Sequence, residues 1–176
     1  LDRFISQAPA REKSFKKYLP LLDKHSARGN LLDVGTAGGS FLSVAQKAGW
    51  TVRGVEPSEW LCTWGENKYR VTIDQGTLCE QKYPDNFFDV VTVWDVLEHV
   101  HDPRTYLEEI NRILKPNGIV LVNFPNVGSV LAKVAGKRWW FYLSVHLYYF
   151  TPQTLSSLLA QTGFATLERS RHFQCL

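Results

Sequence analysis

Several residue types and patterns are missing or scarce in this chain of 176 residues. There is no methionine, so we expect the sequence to be a fragment of a longer protein. Only three cysteines occur, at positions 62, 79 and 175, and none forms a C-x-x-C pair. That spacing argues against a zinc site and against a disulfide framework. No signal peptide and no apolar run of ~18 residues is present, so we expect no membrane span and a cytoplasmic location.

A strong excess of charge of one sign is also lacking. Twenty Lys and Arg against 17 Asp and Glu give a net charge of +3 without a long basic run, so we expect no nucleic-acid partner. Lys133, Lys137 and Arg138 form a small basic cluster, interpreted as a solvated helix end, with contact to an anionic substrate as the alternative. The length and the hydrophobic content of 44% are those of one globular domain, residues 1–176.

Strand-like and helix-like segments alternate along the chain, which is typical of a parallel sheet covered by helices on both faces. A helical segment is predicted within residues 1–29, at about 10–25, and further helices at 40–48, 57–68, from 103 and from 152 to 163. The predicted strands are 30–34, 51–55, 70–73, 87–94, 119–124 and about 165–173. A turn is predicted at 115–118.

A glycine-rich turn follows the first predicted strand, within the run Asn30-Leu-Leu-Asp-Val-Gly-Thr-Ala-Gly-Gly-Ser-Phe41. Gly35 permits a sharp turn, and the later glycines let the backbone approach a ligand at the start of a helix. The second predicted strand is followed by Glu56, and a carboxylate in that place suits a ribose. The arrangement predicts a nucleotide-type cofactor, and a tight turn without a ligand is the alternative.

The spacing within the turn bears on the choice of cofactor. A dinucleotide fingerprint, G-x-G-x-x-G, would need glycine at the positions of Ala37 and Ser40. The run fits D-x-G-x-[GA]-x-G from Asp33 to Gly39 instead. A nicotinamide-dependent oxidoreductase is therefore a disfavoured alternative.

Five motifs follow one another between about residues 30 and 164. They are Leu32–Gly39, Gly54–Pro57, Phe88–His99 with Asp102-Pro103, Leu114–Gly118 and Asn123–Asn126. Together they resemble the class I S-adenosylmethionine-dependent methyltransferases, in the group related to ubiquinone-biosynthesis and sugar methyltransferases. The resemblance implies an α/β fold, a doubly wound, mainly parallel sheet of order 3-2-1-4-5-7-6. No seventh strand is evident, so we expect either an abbreviated antiparallel edge or residues missing from this sequence.

The resemblance also implies S-adenosylmethionine as cofactor and a set of residues that contact it. The glycine turn would lie against the methionine moiety, and Glu56 would accept two hydrogen bonds from the ribose. Thr77 and Leu78 would contact the adenine, while Trp94 would wall the site. The full implied set is Asp33, Gly35, Thr36, Ala37, Gly38, Gly39, Glu56, Pro57, Thr77, Leu78, Trp94 and Asp95, with Asp33 and Asp95 near the amino group.

An aromatic segment, residues 126–150, follows the fifth predicted strand. Its second half, Trp139–Phe150, holds seven aromatic residues and one imidazole, that of His146. In related enzymes this part of the chain helps to cover the substrate, so we expect an apolar wall; a packed helix and loop is the alternative. His146 is the first candidate for a general base and His99 the second, because an imidazole with a pKa near 6.5 suits proton removal.

The predicted function is methyl transfer to an oxygen, or a nitrogen or carbon, of a small-molecule acceptor. A quinone precursor or a nucleotide-linked sugar is favoured by analogy. A domain that binds S-adenosylmethionine or acts as a scaffold without catalysis is the main alternative. No metal site is predicted, although Asp95, Glu98 and His99 could hold a hard cation with help from substrate oxygens.

Overall fold

The computed structural model describes residues 2–169, with side chains from residue 4 onward, and contains a five-stranded parallel sheet of order β3-β2-β1-β4-β5. The strands are β1 Asn30–Val34, β2 Thr51–Glu56, β3 Thr72–Gln75, β4 Phe88–Trp94 and β5 Leu114–Asn123. The helices are α1 Asp2–Ser6, α2 Ala8–Phe15, α3 Leu19–His25, α4 Ser40–Lys47, α5 Glu59–Tyr69, α6 Pro103–Ile113, α7 Val130–Ala135 and α8 Pro152–Gln161. Short 3₁₀ turns span Lys16–Tyr18, Leu78–Glu80 and Gly136–Arg138.

The central strand, β1, determines where a ligand can bind. Asp33 of β1 is in register with Gly54 of β2 on one side and with Thr92 of β4 on the other. Strands β2 and β3 lie on one side of β1, and β4 and β5 lie on the other, so the strand order reverses at β1. In open parallel sheets, ligands bind at such a reversal, beyond the carboxyl ends of the strands.

Neighbouring residues of the inner strands point to opposite faces of the sheet, and each face has its own core. Leu31 belongs to the cluster that contains Phe41 of α4. Leu32 belongs to the other cluster, which contains Leu107 and Ile110 of α6. Because a fully buried Leu or Phe stabilises the fold by about 1.5–3 kcal/mol, these two layers hold the strand ends firmly in place.

The crossover helices begin at capping residues that the sequence displays. The carboxylate of Asp102 accepts the backbone N–H groups of Arg104 and Thr105 at 3.0 and 3.2 Å, and Pro103 occupies the first turn of α6. Ser58 caps α5 in the same way, with its hydroxyl accepting the N–H of Leu61 at 3.4 Å. Among the described residues, no helix combines the length and apolarity needed to cross a lipid bilayer.

Most of the predicted elements are confirmed. The first strand has the predicted bounds, and the strands and crossover helices that follow differ from prediction by a few residues at their ends. The helix predicted at 10–25 forms as α2, a 3₁₀ turn and α3. The turn predicted at 115–118 lies inside β5, where the register jumps from Phe88 opposite Leu114 to Val90 opposite Ile119.

The sixth strand, predicted at about 165–173, is wrong for the residues that can be checked. Residues 164–169 form no strand, and residues 170–173 lie outside the described part of the chain. The side chain of Leu167 is 64% exposed, so no apolar face is buried here. Glu168 instead pairs with Lys24 and His25 at 2.7 and 3.1 Å. Within residues 2–169 the sheet therefore ends at β5, and the abbreviated antiparallel edge is not formed there.

Candidate active site

The turn between β1 and α4 is fastened to β2 through its backbone. The N–H groups of Gly35 and Thr36 both donate to the carbonyl of Val55, at 2.9 and 3.1 Å. Gly35 has a φ of +66°, and a Cβ at this position would lie 2.5 Å from the Val96 side chain. Glycine is required here both by the backbone conformation and by the close approach of Val96.

Asp33 lies directly under the turn and is almost completely buried. Its carboxylate accepts the hydroxyl groups of Thr36 and Thr92, both at 2.6 Å. Burial raises the pKa of Asp33 to about 7, although the two hydroxyl donors oppose the shift. Asp33 thus joins the turn to β4 while one side of it lines the cleft described below.

Glu56 ends β2 with a buried carboxylate that organises two backbone segments. One oxygen accepts the N–H of Ala37 at 3.0 Å, and the other accepts the N–H of Ser58 at 3.0 Å. A carboxylate has about four acceptor positions, so two further hydrogen bonds can be accepted. This capacity fits the pair of ribose hydroxyls that the resemblance implies.

A cleft of about 150 Å³ lies at the carboxyl ends of β1 and β4. Its lining comprises Phe4, Arg11, Phe15, Asp33, Gly35, Thr36, Ala37, Gly38, Ser40, Trp94 and Asp95. It is smaller than the ~300–1,000 Å³ of most ligand pockets. The N-terminal helices lie over it, and a Cβ on Gly38 would meet the rings of Trp64 and Phe4. A larger open groove of about 370 Å³, between α3 and α4, has no strand residue in its lining.

Arg11, on α2, was missed by the sequence reasoning and supplies the cation of the cleft lining. Its guanidinium donates to the carbonyl of Phe4 at 2.8 Å and lies 4.0 Å from the centre of the Phe4 ring. Burial lowers the pKa of Arg11. Arg11 and Phe15 are four residues apart and share one face of a helix, but this spacing does not indicate that the face meets the cleft.

Trp94 and Asp95 close β4 on the far side of the cleft. The Trp94 ring packs between aromatic side chains, with ring centres 4.6 Å from Tyr18, 5.1 Å from Phe41 and 5.2 Å from Phe15. Asp95 has a φ of +54° and accepts the side-chain amide of Asn123 at 2.8 Å. Both residues line the cleft, as the resemblance implies for a cofactor site.

Five residues of the implied cofactor set do not line this cleft. Gly39 and Glu56 lie next to it, since Gly39 follows the lining residue Gly38 and Glu56 accepts the N–H of the lining residue Ala37. The other three lie further along the chain. Leu78 is completely buried in the core beside α6, and the Thr77 hydroxyl donates to Glu80 at 2.8 Å. Pro57 follows Glu56 at the start of the loop to α5. Contact of these three residues with an adenine stays a prediction.

Glu98, His99 and His146 form a cluster in which one nitrogen or oxygen atom from each side chain lies within 4.8 Å of the other two. Glu98 is 1% exposed, and neither of its carboxylate oxygens has a hydrogen-bond partner among the described residues. Burial and the charge of Asp95 raise the pKa of Glu98 to about 7. The cluster therefore holds a buried, unpaired carboxyl group beside two imidazoles.

The two imidazole rings of this cluster meet edge to face, with centres 4.6 Å apart. Nδ1 of His99 lies 3.1 Å from the carbonyl of Val145, and because a carbonyl only accepts, this nitrogen carries the proton. Nε2 of neutral His99 is therefore an acceptor. Burial and the neighbouring His99 lower the pKa of His146, although a backbone hydrogen bond to Phe141 and the charge of Asp95 act the other way.

The aromatic segment, residues 126–150, is fixed at a few points and otherwise exposed. Trp139 and Phe150 are buried, and the N–H groups of Leu147 and Tyr148 donate to the Glu98 carbonyl at 2.7 and 3.2 Å. These contacts bring the segment to the loop after β4. Its large side chains are mostly exposed, and their role as an apolar wall over the substrate stays a prediction.

The family of the chain follows from comparison with known proteins. Residues 4–169 match the methyltransferase domain family, and the chain belongs to that family. The ubiquinone biosynthesis O-methyltransferase of Azorhizobium caulinodans is 28% identical over 150 residues, covering 78% of this chain and 59% of that protein. The chain thus spans about three fifths of the length of such curated relatives.

Solved structures agree with the family. An S-adenosylmethionine-dependent methyltransferase from Archaeoglobus fulgidus superposes with a TM-score of 0.74 at 20% identity, covering 93% of this chain and 74% of that chain. Phosphoethanolamine N-methyltransferase 2 of Haemonchus contortus, solved with S-adenosyl-L-methionine, gives 0.62 at 24%, covering 84% and 36%. At such identities the likeness establishes the fold. Taken with the family match, it identifies a class I methyltransferase domain whose cofactor is S-adenosylmethionine.

Proposed function

We propose that the protein transfers the methyl group of S-adenosylmethionine to an oxygen atom of a small-molecule acceptor. The observation that carries the proposal is the carboxylate of Glu56, which bonds the Ala37 N–H of the glycine turn and keeps acceptor capacity for a ribose. An oxygen acceptor is favoured by the Azorhizobium relative, whose name is that of an O-methyltransferase. A nitrogen acceptor is the second candidate, because the Haemonchus neighbour is an N-methyltransferase.

Residues of the cleft match the charged groups of the cofactor. Arg11 can pair with the carboxylate of its methionine end, and Asp95 can accept from its ammonium group. Glu56 can hold the ribose, and the turn from Gly35 to Gly39 can approach it closely because of its small residues. The bound cofactor supplies an electrophilic methyl group carried by a sulfonium. The remaining work of the chain is to position the acceptor and to take up its proton.

We infer that His146 takes that proton and that His99 is the second candidate. The lowered pKa keeps His146 neutral at pH 7, so its imidazole is able to accept a proton. Asp95 connects the two parts of the site, since it lines the cleft and its charge acts on the pKa of His146. His99 is the second candidate because it belongs to the same cluster and its Nε2 is an acceptor in the neutral ring.

We further propose one domain, residues 1–176, in which the helical segment 1–29 covers the cofactor and the segment 126–150 covers the acceptor. Phe4, Arg11 and Phe15 of the first segment line the cleft, which supports the first assignment. The acceptor-covering role of 126–150 is supported by its hydrogen bonds to Glu98. Cys62 and Cys79 are free thiols, which fits a reducing compartment such as the cytoplasm.

Calorimetric titration with S-adenosylhomocysteine, S-adenosylmethionine and NAD tests the cofactor site. We expect binding of the two sulfur nucleotides and none of NAD. Glu56→Gln should weaken binding by about 10- to 150-fold, because it removes hydrogen bonds to a charged group. Glu59→Gln, an exposed carboxylate in the first turn of α5, is the matched control and should bind normally.

Transfer of a radiolabelled methyl group to a panel of phenols, sugar nucleotides and amines tests the activity. Labelling of a hydroxyl compound supports oxygen transfer, and labelling of amines alone would replace it by nitrogen transfer. Tight cofactor binding without transfer to any acceptor class would favour a binding module over an enzyme. Binding of NAD in place of the sulfur nucleotides would contradict the proposal outright.

A further inference from the structure

The aromatic segment exposes an unusual amount of apolar surface. Val130 and Val134 of α7 are 79% and 80% exposed, and Val145 is 59% exposed. The apolar patch, as we call this surface, consists of Val130, Leu131, Val134, Trp140, Leu143, Val145 and Leu147. Single exposed apolar side chains are ordinary, but a group gathered in one short segment marks an interaction site.

Helix α7 shows how the patch is organised. Val130, Leu131 and Val134 are one and four residues apart, which places them on one side of the helix, and Ala132 is buried on the other. The hydroxyl of Ser129 caps the helix by accepting the N–H of Ala132 at 3.1 Å. The helix is thus fixed with its larger apolar side chains directed away from the protein.

The stretch of chain that carries the apolar patch has charges of one sign. All 17 Asp and Glu residues lie outside positions 110–167, so no carboxylate occurs in the sequence of this long stretch. Lys133, Lys137 and Arg138 stand between the apolar residues and are exposed. A basic surface with exposed Val, Leu and Trp side chains is the composition of an interfacial membrane segment.

We propose that the apolar patch and its three cations dock the protein onto an anionic lipid bilayer. The Val and Leu side chains enter the boundary between headgroups and acyl chains, Trp140 lies at headgroup level, and the cations pair with lipid phosphates. A protein partner fits less well, because lysine is depleted in protein interfaces. The proposal stands on this surface and does not depend on the identity of the methyl acceptor.

The proposed docking surface lies next to the imidazole cluster along the chain's fold. Leu147 and Tyr148 are bonded to the carbonyl of Glu98, so the docked segment adjoins the loop that carries His99. A membrane-embedded acceptor would therefore reach the imidazole cluster from the bilayer side. Docking of this kind needs no spanning helix.

Co-sedimentation with lipid vesicles tests the proposal. We expect binding to vesicles of phosphatidylcholine mixed with phosphatidylglycerol, weak binding to phosphatidylcholine alone, and a loss of binding as salt is raised. Val130→Asp combined with Val134→Asp should abolish binding. Lys133→Gln combined with Lys137→Gln should weaken it about 30-fold, since each cation near an anionic surface contributes ~1 kcal/mol.

Matched control variants show whether vesicle binding depends on this surface or only on the total charge of the protein. Lys13→Gln combined with Lys17→Gln removes the same charge from another exposed region, and Leu167→Asp alters an exposed apolar residue elsewhere. Both should bind vesicles like the unaltered protein, and circular dichroism checks that every variant is folded. Equal losses in the control pair, or no binding to anionic vesicles, would overturn the proposal. So would a dimer in light scattering that Val130→Asp dissociates, because the face would then join two copies.

Discussion

The cofactor turn, residues 33–39, and the aromatic segment, residues 126–150, are held by the chain in different ways. In the turn, successive backbone N–H groups are bonded to β2: those of Gly35 and Thr36 to Val55, and that of Ala37 to Glu56. The aromatic segment is anchored by buried Trp139 and Phe150 and leaves most of the side chains between them exposed. Backbone geometry defines the first region, and side-chain composition defines the second.

This difference separates two tasks of the proposed enzyme. A fixed turn suits a constant ligand, because a preorganised site loses little entropy on binding. A segment with few buried contacts opens more easily, as regions that admit variable ligands do. We therefore expect changes in the turn to act on cofactor affinity and stability, and changes in the aromatic segment to act on turnover.

Replacing the candidate base should have the largest effect on turnover. His146→Asn removes the imidazole, and the loss of a general base typically lowers the rate by about 10²- to 10⁴-fold. Calorimetry should show unchanged affinity for S-adenosylhomocysteine, because His146 belongs to the segment that is proposed to cover the acceptor and not the cofactor. The kcat of the variant is measured with the acceptor that the methyl-transfer panel identifies.

The control for this variant is His101→Asn, which removes an exposed imidazole on the loop that follows the cluster. Its kcat should stay close to that of the unaltered protein. If His146→Asn turns over normally and His99→Asn does not, the roles of the two histidines are exchanged. Normal turnover in both variants would show that acceptor deprotonation does not use this cluster.

The elements of the two regions differ in how far they could be predicted from the sequence. The strand that ends at Val34, the glycine turn and the position of Glu56 after the second strand were predicted in place, because these positions follow local backbone rules. The pair Asp102-Pro103 predicted the start of α6 for the same reason. The failed sixth strand shows the limit, since pairing with a sheet depends on long-range contacts that a local pattern does not contain.

Site residues supplied by tertiary packing were harder to predict. Arg11 reaches the cleft only because α2 folds over the turn, and the distance along the chain hides this contact. The closeness of His146 to Glu98 and His99 depends on how the aromatic segment returns to β4. Both imidazoles were predicted as functional, but their mutual contact was not.

Glu98→Gln should reveal the cost of the buried carboxyl group as a pH-dependent stability. The pKa of Glu98 is raised to about 7 in the folded state against 4.5 in its ordinary range. Between these values the unfolded state has lost the proton that the folded state keeps, so stability falls as pH rises. The unaltered protein should therefore lose about 3 kcal/mol relative to Glu98→Gln between pH 4 and pH 8.

Urea unfolding at several pH values measures this difference. Asp33 has a similarly raised pKa, but it is present in both proteins and its contribution cancels. Asp95, His99 and His146 face the group and are also retained in both proteins. Parallel stability curves across that window would show that Glu98 is ionised in the folded protein.

A pair of glycine variants compares the two regions directly. The difference in stability between these two variants is the smallest effect that we predict. Gly35 in the turn and Gly136 in the aromatic segment both have positive φ, of +66° and +50°. A Cβ at Gly35 would lie 2.5 Å from Val96, whereas a Cβ at Gly136 meets nothing within 4 Å. Both Ala variants carry the cost of placing a side chain on a backbone with positive φ. Gly35→Ala alone adds a steric clash, with Val96.

We expect Gly35→Ala to be less stable than Gly136→Ala by about 1–3 kcal/mol, the usual cost of overpacking. For a domain of this size, that difference corresponds to a Tm lower by roughly 2–12 °C. Gly35→Ala should also weaken S-adenosylhomocysteine binding, and Gly136→Ala should not. Equal Tm values would mean that Val96 moves aside at little cost, and the turn would then be no more rigid than the aromatic segment.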